Sequence, residues 1–138
     1  MSIILITGGT GLVGSKLTEV LLANNHEVRI LSRNPSNKNE FKWDISKGFV
    51  DEKALTNIDY IIHLAGAGIA DKKWTESRKQ EIIDSRTKST KLLLDKVEEL
   101  KLNLKGFISA SAIGYYGAIT SNKTFKETDT SANDFLGN

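Results

Sequence analysis

Short apolar runs alternate with amphipathic stretches along this chain, and that alternation predicts its elements. Ile3-Ile4-Leu5-Ile6 is an unbroken, β-branched-rich run, the pattern of a strand covered on both faces of a parallel sheet. From about Leu12 to Ala23, the apolar residues Val13, Leu17, Val20 and Leu21 fall at i, i+4, i+7 and i+8, one stripe of a helix. Asn24-Asn25 ends that helix. Glu27-Val28-Arg29-Ile30-Leu31 then reads as a second strand, stopping at Ser32-Arg33-Asn34-Pro35, where the only proline interrupts regular structure. Tyr60-Ile61-Ile62-His63-Leu64 and Gly106-Phe107-Ile108-Ser109 are further predicted strands, with a weaker one over Phe41-Lys42-Trp43. A long helix is expected over about residues 75–100, carrying Ile83, Leu93, Val97 and Leu100, and the polar tail from Thr120 onward reads as loop.

Strands alternating with helices imply a doubly wound α/β fold, a parallel sheet with right-handed crossovers in the order 3-2-1-4-5. Residues 1–138 fit one domain, with no repeat and no linker. Composition adds mainly exclusions. With 39% apolar and 26% charged residues the chain is an ordinary globular one, and 19 basic against 17 acidic residues create no concentrated field for nucleic acid. Cysteine is absent, which excludes disulfides, a thiolate nucleophile and Cys-based metal sites. His26 and His63 are too isolated to suggest a metal cluster, so no metal is expected. The apolar start lacks a basic leader and soon meets Thr7-Gly8-Gly9, too short for a signal peptide or a membrane span. The expected location is cytoplasmic, with no membrane partner, and Asn122-Lys123-Thr124 is then a chance glycosylation sequon.

The chemistry lies in Thr7-Gly8-Gly9-Thr10-Gly11-Leu12-Val13-Gly14, where Gly8, Gly11 and Gly14 stand three apart between a strand and a helix. A dinucleotide pyrophosphate sits on backbone N–H groups at a helix N-terminus, where unpaired donors and the helix dipole favour negative charge. Glycine permits the tight turn, the approach of phosphate and the packing of helix on strand. Gly9 and Gly14 also have P-loop spacing, but the following Ser15-Lys16 reverses the Lys-Ser order and aims the lysine elsewhere. At the end of the second strand an NAD site usually offers a carboxylate to the ribose 2′-OH, whereas this chain offers Ser32-Arg33. A guanidinium suits a 2′-phosphate, so NADP(H) is expected in preference to NAD(H).

With His63-Leu64-Ala65-Gly66 and Ser109-Ala110-Ser111-Ala112-Ile113-Gly114-Tyr115-Tyr116-Gly117, the glycine turn resembles the extended and atypical short-chain dehydrogenase/reductases, the NAD-dependent epimerase/dehydratase family. Within it the chain is most similar to the nucleoside-diphosphate-sugar epimerase-like subgroup, through the stretch from Trp74-Thr75 to Asp84-Ser85-Arg86. The resemblance implies a Rossmann fold ending after about its fifth strand. It places Thr7, Gly8, Gly11, Leu12, Val13 and Gly14 at the cofactor, makes Asp44 its adenine-side acid, and runs Leu64, Ala65 and Gly66 along it. It also implies cofactor contact for Ser109 and a substrate oxygen held by Ser111 and Tyr115.

The family's catalytic tyrosine has a lysine four residues on, which lowers a phenol pKa that is otherwise near 10. Four residues after Tyr60, Tyr115 and Tyr116 stand Leu64, Ile119 and Thr120, so the pair is missing. The resemblance further implies a substrate-binding portion beyond Asn138. Two functions stay open: the NADP(H)-binding part of an oxidoreductase or sugar-nucleotide epimerase acting by hydride transfer, and a non-catalytic NADP(H)-binding sensor or scaffold module. The expected partners are a dinucleotide and, for the complete protein, a sugar nucleotide. This chain alone is expected to turn nothing over, and to form a homo-oligomer through the strand edge at Phe107 and Ile108.

Overall fold

In the computed structural model, which describes residues 1–117 and 122–137, β1 (Ile3–Thr7) turns its alternate side chains to opposite faces. Leu5 joins a core cluster on one side, with Leu31, Trp43, Leu55, Ile61 and Leu93. Ile4 and Ile6 join Val28 and Ile30 on the other, where Leu17 and Leu21 of α1 (Leu12–Ala23) cover them. Burial on both faces is why this strand reads as a continuous apolar run.

β2 (Glu27–Ser32), β3 (Glu40–Asp44), β4 (Phe49–Val50), β5 (Tyr60–His63) and β6 (Gly106–Ser109) complete a six-stranded sheet in the order β4-β3-β2-β1-β5-β6. Its five parallel strands have the expected 3-2-1-4-5 arrangement. β4 is an addition, pairing antiparallel with β3 through Trp43–Val50 and Asp44–Phe49 across a turn whose Gly48 has φ +61°. Two residues are too few for a period-2 pattern to register. α2 (Glu76–Glu99), capped by the Thr75 hydroxyl on the Arg78 N–H, makes the long crossover from β5 to β6. No helix among the described residues is long and apolar enough to cross a membrane.

Three expectations about faces are corrected. In α2 the inward residue is Ile82, 4% exposed, and Ile83 lies outside at 43%. At about 100° per residue, counting back 11 positions from the fully buried Leu93 returns nearly to the same face, whereas 10 positions fall about 80° away. In α1 the contact line is Gly14, Leu17 and Leu21, while Val13 and Val20 are exposed on its flanks. On β6, Phe107 packs against the core and only Ile108 stands out to solvent, so the exposed apolar edge is narrower than expected. The tail residues 122–137 contain no helix or strand, as expected; Thr120 and Ser121 lie outside the described residues.

Asp59 ties the starts of three strands together. Its Oδ2 accepts from the Ile3 N–H at 2.8 Å, its Oδ1 pairs with Lys105 Nζ at 2.8 Å, and its carbonyl accepts from the Lys105 N–H at 2.7 Å. The Lys105 ammonium first, then the Ile3 N–H, hold its carboxyl below the ordinary value of 3.8. A depressed folded pKa contributes stability that is complete above that value and is lost as pH falls through the folded one. The thermal midpoint of Asp59→Asn is therefore expected to lie below that of wild type at pH 7 and to converge on it in acid. Parallel curves of midpoint against pH would rule this out.

Candidate functional site

The C-terminal ends of β1, β2 and β5 meet where the strand order reverses, the usual place for a ligand in an open α/β sheet. There they surround a cleft of about 500 Å³. β1 contributes Gly8, Thr10 and Gly11; β2 contributes Leu31, Ser32, Arg33 and Asn34; β5 contributes Leu64, Ala65, Gly66 and Ala67.

Two glycines have distinct physical jobs. Gly8 has φ +71°, and a Cβ on it would stand 3.0 Å from the Ala65 nitrogen and from the Leu64 carbonyl carbon, so the first and third turns touch only because it has none. Gly11, by contrast, has φ −79°, and its absent Cβ would meet only the Gly8 carbonyl oxygen, at 3.3 Å; it leaves the cleft open. Gly11 is also the N-cap of α1, with no side-chain cap and no acid in the first turn. The first-turn N–H groups thus lack both an intrahelical acceptor and a capping oxygen, which makes that end of the cleft attractive to an anion. Leu12 and Val13 flank it and are exposed, at 90% and 66%. Gly14 is buried beneath the turn.

At the second turn the Ser32 Oγ accepts from the Asn34 N–H at 3.2 Å, and the Lys42 ammonium donates to the Arg33 carbonyl. Arg33 therefore has its backbone anchored where it lines the cleft. Trp43 and Ile45 line the same region. Asp44 stands between them in the chain. Its Oδ1 accepts from the Ser46 hydroxyl at 2.6 Å and from the N–H groups of Ser46 and Lys47, capping a short 3₁₀ helix over Ile45–Lys47. The Ser46 hydroxyl is the main reason its carboxyl is held below the ordinary range.

The third turn is held from α2. Ser85 Oγ accepts from the Ala67 N–H at 2.9 Å, and Arg86 Nη1 donates to the Ala67 carbonyl at 3.1 Å. Glu81, one helical turn before Ser85, also lines the cleft, with its carboxylate 2.6 Å from Arg78 Nη1. That guanidinium keeps the Glu81 carboxyl below its ordinary range. Thr7, fully buried, bonds to His63 Nδ1 at 2.6 Å and accepts from the Ala65 N–H at 3.1 Å, so its hydroxyl is engaged inside the protein.

Of the residues singled out in the sequence, Gly8, Gly11, Ser32, Arg33, Leu64, Ala65 and Gly66 come together around the cleft. Ser109, the last residue of β6, and Ser111 and Tyr115 on the segment that follows lie outside that lining: Ser109 pairs with His63, and Ala110 N–H donates to the His63 carbonyl at 3.1 Å. Ser111 is exposed, and Tyr115 stacks edge-on against Tyr116 at 5.1 Å between ring centres. Sequence reasoning missed Thr10, Leu31, Asn34, Trp43, Ile45, Ala67, Glu81 and Ser85 as lining residues. Thr10, inside the glycine turn, and Glu81 and Ser85, inside the stretch from Trp74-Thr75 to Asp84-Ser85-Arg86, had a signal.

A model of the NAD dependent epimerase/dehydratase family matches residues 4–135. The chain is 38% identical over 136 residues to an epimerase family protein of Mycobacterium leprae, covering 98% of this chain and 43% of that protein. It is 42% identical to epimerase family protein YfhF of Bacillus subtilis, over 96% of this chain and 45% of YfhF. Among solved structures, human epimerase family protein SDR39U1 (isoform 2), determined with NADPH, superposes with a TM-score of 0.81 at 27% identity, over 98% of this chain and 45% of the human one. The nucleoside-diphosphate sugar epimerase of Corynebacterium glutamicum gives 0.81 at 34% identity, over 99% of this chain and 28% of its own. The chain thus spans less than half the length of these relatives.

Proposed function

The chain belongs to the NAD dependent epimerase/dehydratase family, and on that premise we propose that its cleft binds NADP(H), as the cofactor-holding part of an oxidoreductase or nucleoside-diphosphate-sugar epimerase. The observation that carries this reading is a single cleft bordered by the uncapped start of α1, by Arg33 and by the turn at Leu64-Ala65-Gly66. The first-turn N–H groups at Leu12 and Val13 would hold the pyrophosphate, with Gly11 leaving the approach open. Arg33, with Ser32 and Asn34, would hold the 2′-phosphate, and Trp43 and Ile45 would wall the adenine side. Asp44 serves that side indirectly, by capping the turn that carries Ile45. Leu64, Ala65 and Gly66 would hold the dinucleotide on the nicotinamide side.

When bound, the nicotinamide supplies the hydride chemistry, and the protein's part is to orient it and the substrate. Ser109 would contact the cofactor from the end of β6, and Ser111 and Tyr115 are the groups that would hold a substrate oxygen. The relative solved with NADPH and the relative named as a nucleoside-diphosphate sugar epimerase support the class of cofactor and of substrate. A second reading is a module that binds NADP(H) without catalysis; within residues 1–138 no lysine stands four residues after a tyrosine. Steady oxidation of NADPH with sugar nucleotides or simple carbonyls would exclude it.

Titration of wild type and Arg33→Ala with NADP⁺ and NAD⁺ tests the site. Loss of a charged hydrogen bond costs about 1.5–3 kcal/mol, so NADP⁺ affinity should fall by about 10- to 150-fold and NAD⁺ affinity hardly at all. Equal affinities in wild type, or an equal loss for both ligands, would remove Arg33 from the 2′-phosphate.

A further inference from the structure

His63 is 4% exposed, and each of its ring nitrogens meets a buried hydroxyl. Nδ1 lies 2.6 Å from Thr7 Oγ1, and Nε2 lies 3.1 Å from Ser89 Oγ on α2; both hydroxyl residues are fully buried. Their other bonds decide where the hydrogens are. Ser89 Oγ lies 2.6 Å from the Ser85 carbonyl oxygen, a separation that two oxygens hold only with a hydrogen between them; the hydroxyl has one hydrogen, so at Nε2 it accepts. The imidazole hydrogen is therefore on Nε2, and Nδ1 carries a lone pair. Thr7 Oγ1 donates to that lone pair, which leaves its own lone pairs for the Ala65 N–H at 3.1 Å.

We propose that neutral His63, in this tautomer, is a positioning residue for the dinucleotide: by fixing the Thr7 hydroxyl it clamps the turn at Leu64-Ala65-Gly66 onto the turn at Gly8. The inference rests on reading the cleft as a dinucleotide site. Protonation would undo the clamp. With hydrogens on both nitrogens, Thr7 Oγ1 would have to accept from Nδ1 and from Ala65, and its own hydrogen would have no partner in a fully buried place. Burial already pushes the His63 pKa below the ordinary 6.5. Among the described residues no charge offsets it: the groups facing the ring are Thr7 from β1, Ser89 from α2 and Phe107 from β6 at 6.3 Å between ring centres, none of them charged. On α2, Arg86 is turned to the Ala67 and Ile82 carbonyls and Lys88 to Asp84. Because the folded pKa is depressed, the clamp is intact above the ordinary value and is lost as pH falls through the folded one.

Imidazole ¹⁵N spectra of the wild-type chain, with and without saturating NAD⁺, test this without a mutation. NAD⁺ is the probe because it has no phosphate that ionises near neutral pH. The expected result is the Nε2–H tautomer at pH 7.5 and, by reciprocity, a His63 titration midpoint lowered further by NAD⁺; a tenfold preference for the neutral form moves it by about one pH unit. In parallel, wild-type NAD⁺ affinity should weaken about tenfold over the range in which His63 protonates. His63→Asn, whose amide oxygen can accept from Thr7, should bind with a flat pH profile. An Nδ1–H tautomer, a midpoint unmoved by NAD⁺, or equal pH profiles for wild type and variant would overturn the inference while leaving the dinucleotide site standing. No binding of NAD⁺ or NADP⁺ by wild type at pH 7.5 would instead sink the dinucleotide reading, and the inference with it.

Discussion

Gly14→Val is expected to abolish folding, and Gly11→Val, three residues earlier in the same turn, to leave a folded protein that takes up no dinucleotide. A Cβ on Gly14 would lie inside the contact radius of the Gly8 carbonyl oxygen and 2.7 Å from Gly9 Cα, with backbone on every near side. Flexible side chains could yield, but this backbone cannot. Ordinary overpacking costs about 1–3 kcal/mol because neighbours relax, and here they do not, in a domain whose whole stability is about 5–15 kcal/mol. At Gly11 the backbone is extended and acceptable to any residue, and one contact at 3.3 Å is the whole obstacle. Its new methyls would instead fill the approach to the first-turn N–H groups of α1. Circular dichroism separates the two, and isothermal titration with NADP⁺ supplies the second measurement. A well-folded Gly14→Val would refute the packing argument. Unchanged affinity in folded Gly11→Val would remove the turn from the site.

Trp43→Ala should lower stability by about 3–5 kcal/mol, the usual cost of deleting a large buried aromatic. Trp43 is 4% exposed, packs in the cluster of Leu5, Leu31, Ile61 and Leu93, and also lines the cleft. One side chain is thus both core and wall, so stability and dinucleotide affinity should fall together. Trp43→Phe should cost less in both. Phe49, one strand away and 47% exposed, is the comparison: Phe49→Ala should change stability by less than about 0.5 kcal/mol. Urea unfolding curves give the three numbers. A Trp43→Ala loss as small as that for Phe49→Ala would show that the indole is not part of the core.

By itself the sequence determined the elements whose signals are local. The unbroken run Ile3-Ile4-Leu5-Ile6, the helix of α1, the stop at Asn24-Asn25 and the glycine spacing each lie within a few neighbouring residues, and each is found where expected. Half of the cleft was legible for the same reason, since Gly8, Gly11, Ser32 and Arg33 sit directly at strand ends. Tertiary structure alone decided what depends on the meeting of distant segments. A single residue of phase separates Ile82, buried, from Ile83, exposed, and only packing on the sheet selects between them. Trp43 and Glu81 line one cleft although 38 residues separate them in the chain, because β3 and α2 are brought to the same edge. Thr7, His63 and Ser89 look like two strand residues and a helix serine until the parallel register of β1 and β5 sets Thr7 beside His63 and α2 lays Ser89 on the other side of the ring. A hydrogen bond needs two groups within about 3 Å, and the linear order of a chain contains no such distance until it is folded.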